Sequence, residues 1–301
     1  MHISVPGGAS PRLPEWVRKS ATNYEALHRL KADLRRLNLH TVCESARCPN
    51  IHECFARGAA TFMILGNLCT RGCGFCSVPK GSPAVHDMRL DPSEPANVAR
   101  MAADMQLRYV VITSVNRDDL PDGGSAHFAE TVRAVRTAVP GARVEVLTPD
   151  FCGDLQAVAR VLDAAPHVFN HNIETVPRLY RRVRPQARYR QSLDVLDFAR
   201  RYRPAVLTKS GLMVGLGETA EEVHAVLRDL RSASTAVATI GQYLRPTRRN
   251  LPVAAFIEPD QFDRYRDYGL SIGFQMVFSG PLVRSSYMAD RVSEEAGRPE
   301  N

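Results

Sequence analysis

The chain has 301 residues, 44% of them hydrophobic, a formal net charge of +7 and a pI near 9.2. That length excludes a mini-protein and suits one barrel-sized α/β domain or two small ones. No apolar run approaches the roughly 20 residues of a membrane helix, and the opening MHISVPGGASPRLPEW lacks the charged-then-apolar order of a secretory signal. The expectation is a cytoplasmic chain, with a processed organelle enzyme as the alternative. The basic residues are nearly all arginine, which favours acidic partners. No Lys/Arg block with interleaved aromatics is present, so neither nucleic acid nor membrane is expected as a partner.

In chain order, Trp16 to Leu37 carries Leu27, Leu30, Leu34 and Leu37 near helical spacing. Residues 41–61 hold three cysteines without a clean period and read as an ordered loop. Strands are predicted at Thr61–Leu68, Tyr109–Ser114, Arg143–Leu147, His167–Ile173, Val206–Val214, Ala236–Leu244 and Gly273–Phe278. Amphipathic helices lie between them, introduced by Pro92-Ser93, by Ser125 and by Thr219-Ala-Glu-Glu, the last placing acids in a first turn. Strand and helix alternating at this rhythm predict about six βα units, a parallel sheet and a full or partial (β/α) barrel. In such a fold the chemistry sits at the carboxyl ends of the strands. The expected division is an N-terminal extension over 1–60, a barrel core over 61–280 and a C-terminal segment with a loose tail over 281–301.

Seven cysteines stand at 43, 48, 54, 69, 73, 76 and 152. An odd number without a secretory signal argues against a disulfide framework and, with six clustered, for a metal. Cys152 stands apart and reads as a packed or idle thiol. Cys69, Cys73 and Cys76 form C-x3-C-x2-C directly after a predicted strand. Thiolates select zinc, copper(I) or iron–sulfur clusters. Three on one loop can cap three irons of a cubane and leave the fourth open, whereas structural zinc is normally closed by four protein ligands. Cys43, Cys48 and Cys54 form C-x4-C-x5-C; alone, that set is also compatible with zinc completed by His52.

The 69–76 motif resembles the radical S-adenosylmethionine (radical SAM) superfamily, and the two triads in this order resemble its lipoyl synthase family. The runs VITSVNRDDLPDGG (111–124), HNIETVPRLYRRVRP (171–185), TKSGLMVGLGET (208–219), QYLRPT (242–247) and GPLVRSSYMAD (280–290) extend the resemblance over residues 38–290. It departs from the family pattern at Asn116 and Met288, neither an expected ligand. The resemblance implies two [4Fe-4S] clusters and S-adenosylmethionine. Cys69, Cys73 and Cys76 would hold the radical SAM cluster, with Phe75 by the adenine. Cys43, Cys48, Cys54 and Ser286, with Ser285 as fallback, would hold an auxiliary cluster that serves as the sulfur source. Thr113, Asn172, Glu174, Arg184, Lys209 and Gln242, near predicted strand ends, are the expected cofactor contacts, against the plainer reading of structural hydrogen bonds. No side chain is expected as acid or base, because a radical must break the unactivated C–H bonds. The implied reaction inserts sulfur at C6 and C8 of a protein-bound octanoyl-lysine. The implied partners are octanoylated carrier domains (E2 subunits or the glycine-cleavage H protein), an electron donor such as ferredoxin or flavodoxin, and an iron–sulfur cluster carrier. A fully ligated electron carrier and a zinc-binding RNA protein are the rival readings.

Overall fold

The structure is a computed structural model and describes residues 2–4, 13–18, 31–45, 48, 50–56 and 59–286. The strands in chain order are β1 (His2–Ser4), β2 (His40–Thr41), β3 (Ala59–Ile64), β4 (Tyr109–Ser114), β5 (Arg143–Leu147), β6 (Val168–Asn170), β7 (Leu207–Val214), β8 (Val237–Gln242), β9 (Ala255–Ile257) and β10 (Met276–Gly280). The helices are α1 (Val42–Ser45), α2 (Ile51–Ala56), α3 (Glu94–Asp104), α4 (Ser125–Ala138), α5 (Leu155–Asp163), α6 (Tyr180–Val183), α7 (Tyr189–Tyr202), α8 (Ala220–Ser232) and α9 (Pro259–Ser271). The chain divides into two compact units: Ala21–Arg71 with Val78–Asn170 and Ser286–Asn301, and Met1–Ser20 with Gly72–Ser77 and His171–Ser285.

In the first unit β3, β4, β5 and β6 run parallel, with Ala59 opposite Tyr109, Tyr109 opposite Arg143 and Glu145 opposite Val168. The two-residue β2 adds antiparallel to β3. Helices follow β3, β4 and β5, so each parallel step is a βαβ crossover. Both faces of such strands are covered, and Val110, Val111 and Ile112 of β4 are fully or almost fully buried. The helix α5 lays Ala157, Val158, Val161 and Leu162, all fully buried, into the same core. Each aliphatic side chain of that size contributes about 1.5–3 kcal/mol by burial.

In the second unit β7 and β10 run parallel to β8, and β1 pairs antiparallel with β9. One core joins Leu196 of α7, Leu212 and Val214 of β7, Leu227 and Leu230 of α8, Ile240 of β8 and Phe262 and Tyr265 of α9. Thr219 opens α8 with a reciprocal cap: its Oγ1 accepts from the Glu222 amide at 3.3 Å, and the Glu222 carboxylate accepts from the Thr219 amide at 2.9 Å. GLGET is therefore a strand-to-helix turn, as expected. At the carboxyl end of β8, a Cβ on Gly241 would overlap the carbonyl oxygen of Val283, so the backbone after β10 lies directly against β8.

β4 and β5 fall where predicted. β3 starts at Ala59 and ends at Ile64, not Thr61 and Leu68, because Leu65 turns into the left-handed region (φ 69°) and leaves the ladder. β6 is confined to Val168–Asn170, and β10 runs over Met276–Gly280 in place of Gly273–Phe278. The 41–61 segment is not simply a loop: it contains β2, two short helices and the start of β3, all shorter than any periodicity can reveal. Of the predicted helix over 16–37, residues 31–36 are helical, 15–17 form a 3₁₀ turn and 19–30 lie outside the described residues.

Candidate active site

The C-x3-C-x2-C loop begins where β3 ends. At Leu65 the amide donates to Glu94 Oε2 (2.8 Å) and the carbonyl accepts from Arg117 Nη1 (3.3 Å). Glu94 Oε2 also lies 2.7 Å from His127 Nε2, and both side chains are buried. These bonds hold a backbone conformation that a non-glycine residue otherwise disfavours. The chain next forms a bridge at Cys69, whose amide donates to the Pro79 carbonyl (2.9 Å) and whose carbonyl accepts from the Gly81 amide (2.9 Å). Backbone amides of Arg71 (3.4 Å) and Asn116 (3.3 Å) donate to Cys69 Sγ. These two amides fix the position of the sulfur at the start of the loop.

Arg71 is clamped by two carboxylates. Its Nε and Nη2 donate to Asp118 at 2.6 and 2.9 Å, and its Nη1 and Nη2 to Asp150 at 3.0 and 2.7 Å. Burial alone would lower its pKa; the hydrogen bonds of Asp150 and Asp118 more than offset this and hold it well above the ordinary value. Cys152, expected as a packed or idle thiol, is instead exposed, and its Sγ donates to Asp118 Oδ1 at 3.3 Å. Burial, then the Asp118 carboxylate, pushes this thiol up, which keeps it protonated.

In the second unit residues 72–77 are held from two sides. The Gly74 amide donates to the Val183 carbonyl (2.8 Å), and the Gly74 carbonyl accepts from the Leu251 amide (3.0 Å). Asn250 Nδ2 donates to the carbonyls of Gly74 (3.3 Å) and Cys76 (2.9 Å). Phe75 packs against the core of this unit. Glu174 sits at φ 67° and bridges to β7 through Gly211 and Met213, while its carboxylate accepts from Asn172 Nδ2 at 3.1 Å. Burial pushes the Glu174 pKa up, opposed by the Arg184 charge and the Asn172 bond. Arg184 Nη1 donates to the carbonyls of Asn172 and Ile173.

The other expected contacts differ in how far they are already engaged. Gln242 gives both ends of its amide to backbone: Nε2 donates to the carbonyls of Tyr243 and Ala255, and Oε1 accepts from the Ile257 amide. Thr113 donates to the Leu147 carbonyl. Lys209 is fully buried on β7. By contrast, Asn172 Oδ1 and Arg184 Nε in this unit are buried polar atoms with no partner among the described residues; within the other unit the same holds for Ser114 Oγ and Asn116 Oδ1. Buried polar atoms near strand ends fit a polar organic cofactor that would satisfy them.

In the other triad Cys43 lies on α1, Cys54 on α2 and Cys48 between them. The Cys48 amide donates to the Cys43 carbonyl and the Cys54 amide to the Asn50 carbonyl, both at 3.0 Å. Burial, then the charges of Cys48 and Cys54, pushes the Cys43 thiol up to about 12. Three sulfurs within each other's field fit a positively charged iron core, which removes both their repulsion and the protons. Among the described residues no three His, Cys, Asp or Glu side chains converge as a single ion demands; a cubane offers each thiolate its own iron. Ser285 and Ser286 are half-buried in a turn. The His52 side chain and Met288 lie outside the described residues.

Asp118, Asp150, Asn250 and the Leu65 turn were not singled out from sequence. In the RDDLPDGG run, Asp118 accepts from Arg71 and Asp119 from Arg117, both structural bonds.

The sequence model of the radical SAM superfamily matches residues 63–230, and that of the N-terminal domain of lipoyl synthase matches residues 2–48. Lipoyl synthase of Rubrobacter xylanophilus is 56% identical over 285 residues, covering 95% of this chain and 88% of the relative. That of Thermus thermophilus is 54% identical over 284 residues, covering 94% and 87%. The crystal structure of methylornithine synthase aligns with TM-score 0.55 at 13% identity, covering 93% of this chain and 91% of that one, a likeness of fold. The chain is therefore a radical SAM enzyme with the partial (β/α) barrel of that class, built for S-adenosylmethionine and a [4Fe-4S] cluster. Within that class it belongs to the lipoyl synthase family, whose members carry an auxiliary [4Fe-4S] cluster as well. No helix among the described residues is long and apolar enough to cross a membrane.

Proposed function

We propose that this chain inserts sulfur at C6 and C8 of an octanoyl group carried on a lysine of a carrier domain, using Cys69, Cys73 and Cys76 for the radical SAM cluster. Cys43, Cys48, Cys54 and Ser286 hold the auxiliary cluster, on the N-terminal extension (1–60) and C-terminal segment (281–301) that flank the core (61–280). When bound, the reduced radical SAM cluster and S-adenosylmethionine supply a 5′-deoxyadenosyl radical, and the auxiliary cluster supplies sulfur. The protein's part is to bind and orient. Asn172 and Arg184 offer a buried acceptor and a buried donor to the cofactor's polar groups, and Glu174 offers a carboxylate to its ammonium or ribose. Phe75 offers a ring to its adenine. Gln242 and Thr113, already engaged with backbone, support these residues. An acylated E2 or H-protein domain delivers the substrate, a ferredoxin or flavodoxin the electron, and a cluster carrier the replacement iron and sulfide.

The observation that supports this reading most is the anchoring of the 69–76 loop, with amides on Cys69 Sγ and the peptide of Gly74 bonded on both sides. The test is anaerobic incubation of reconstituted protein with dithionite, S-adenosylmethionine and an octanoyl-lysine peptide, read by mass spectrometry. The expected products are 5′-deoxyadenosine and a peptide with two added sulfurs. 5′-Deoxyadenosine alone would redirect the search to another substrate; neither product, from protein holding two [4Fe-4S] clusters, would leave a cluster carrier.

A further inference from the structure

The surface beside the cluster loop carries a concentration of arginine side chains without a partner among the described residues. Residues 180–188 (YRRVRPQAR) and 243–251 (YLRPTRRNL) contain seven arginines and no acid. Both segments bond directly to the 72–77 loop: Val183 accepts from the Gly74 amide, Leu251 donates to the Gly74 carbonyl, and Asn250 holds Gly74 and Cys76. Arg181, Arg182, Arg248 and Arg249 are exposed and have no side-chain hydrogen bond or ion pair among the described residues. Other arginines of this unit are engaged: Arg190 with Asp194 (3.0 Å), Arg201 with Asp197 (2.8 Å), Arg266 with Asp263 (2.6 Å) and Arg178 with Glu222 (2.7 Å), while Arg228 donates to the Tyr268 hydroxyl (2.7 Å) and Arg264 to Gln261 Oε1 (2.9 Å). Four unmatched guanidinium groups flanking one loop repel one another unless an anion arrives.

We infer that Arg181, Arg182, Arg248 and Arg249 form the docking surface for an acidic protein, the domain that presents the acyl-lysine. This rests on the proposed function, which requires a protein-borne acyl chain to approach the loop of Cys73 and Cys76. A protein fits better than a nucleic acid, because Tyr180 and Tyr243, the aromatics of the two segments, are buried and offer no stacking face. Charge at a rim steers encounter and weakens with salt, without altering the chemistry after docking.

The experiment compares the reconstituted holoenzyme with the double variants Arg181→Glu/Arg182→Glu and Arg248→Glu/Arg249→Glu, on an octanoylated acidic carrier domain and on a short uncharged octanoyl-lysine peptide. The expected result is a KM for the carrier domain raised about tenfold or more at low salt, a flattened salt dependence and unchanged peptide turnover, with the Lys double variants close to the parent. An unchanged KM for the carrier domain would overturn the inference. So would an equal loss on the peptide, or arginine-dependent binding of an RNA or DNA oligonucleotide with the carrier domain unaffected. Failure of the parent protein on both substrates would remove the proposed function itself, a separate result.

Discussion

The two cysteine triads are built differently. Around 69–76 the protein supplies much of the scaffold: amides aimed at Cys69 Sγ, a bridge at Lys80, the twin clamp on Arg71 and the Asn250 amide on two carbonyls. Around 43–54 two short helices carry Cys43 and Cys54 with Cys48 between them, and Cys43 is buried with its thiol pushed up to about 12. The first arrangement suits a cluster that must stay through every turnover. On the proposed assignment, the second holds Cys43 as a buried thiol that gives up its proton on binding iron, which suits a cluster that is taken apart and rebuilt.

The largest effect expected from this contrast is a separation of products. Cys73→Ala should reduce 5′-deoxyadenosine formation to background, whereas Cys54→Ala should keep it and lose sulfur insertion, both read by mass spectrometry. Equal loss of 5′-deoxyadenosine in both would break the assignment of the two triads. Arg71→Ala leaves the fully buried Asp150 without its guanidinium and should cost about 3–5 kcal/mol in the denaturant midpoint. Loss on that scale, with iron released from the Cys69 set before the other, would sharpen the contrast.

A smaller effect follows from Cys43. Its pKa lies above the ordinary thiol value of 9.0, so the thiol is protonated near neutrality and must release its proton to bind iron. Iron loading of the 43–54 set should strengthen with pH between 7 and 9, by about tenfold per unit for this one proton. Titrating iron loading in the Cys73→Ala background isolates the 43–54 set and checks this slope. Least of all, Asn250→Ala should cost about 1 kcal/mol by removing a neutral amide clamp. It should hasten cluster loss from the 69–76 loop while leaving the 43–54 set untouched.

Much of this was legible in the sequence where the signal is local. β4 and β5 are short runs rich in β-branched residues bounded by helical patterns, and their ends were read correctly. The cysteine spacings carry their chemistry within eight and twelve residues of chain. What escaped is non-local. Asp118 and Asp150 meet Arg71 from 47 and 79 residues away, and no pattern near Arg71 announces them. The end of β3 was read four residues too far along because the Leu65 turn is set by Glu94, 29 residues downstream. The bonds that Gln242 makes to β9 also escaped, because β9 is a three-residue strand too short to read from sequence. Ser285 and Ser286 share one turn, so spacing could not choose between them.

Gly241 gives the C-terminal segment a latch made from a missing methyl group. Because the Val283 carbonyl occupies the place of a side chain, adding one carbon at position 241 would pry the backbone after β10 away without altering any proposed ligand. The chain is therefore open to a mechanical dissection: Gly241→Ala displaces the segment that leads to the paired serines while both cysteine triads stay chemically intact. Whether sulfur delivery depends on where that segment rests, or only on the oxygen it carries, becomes a question of a hydrogen against a methyl.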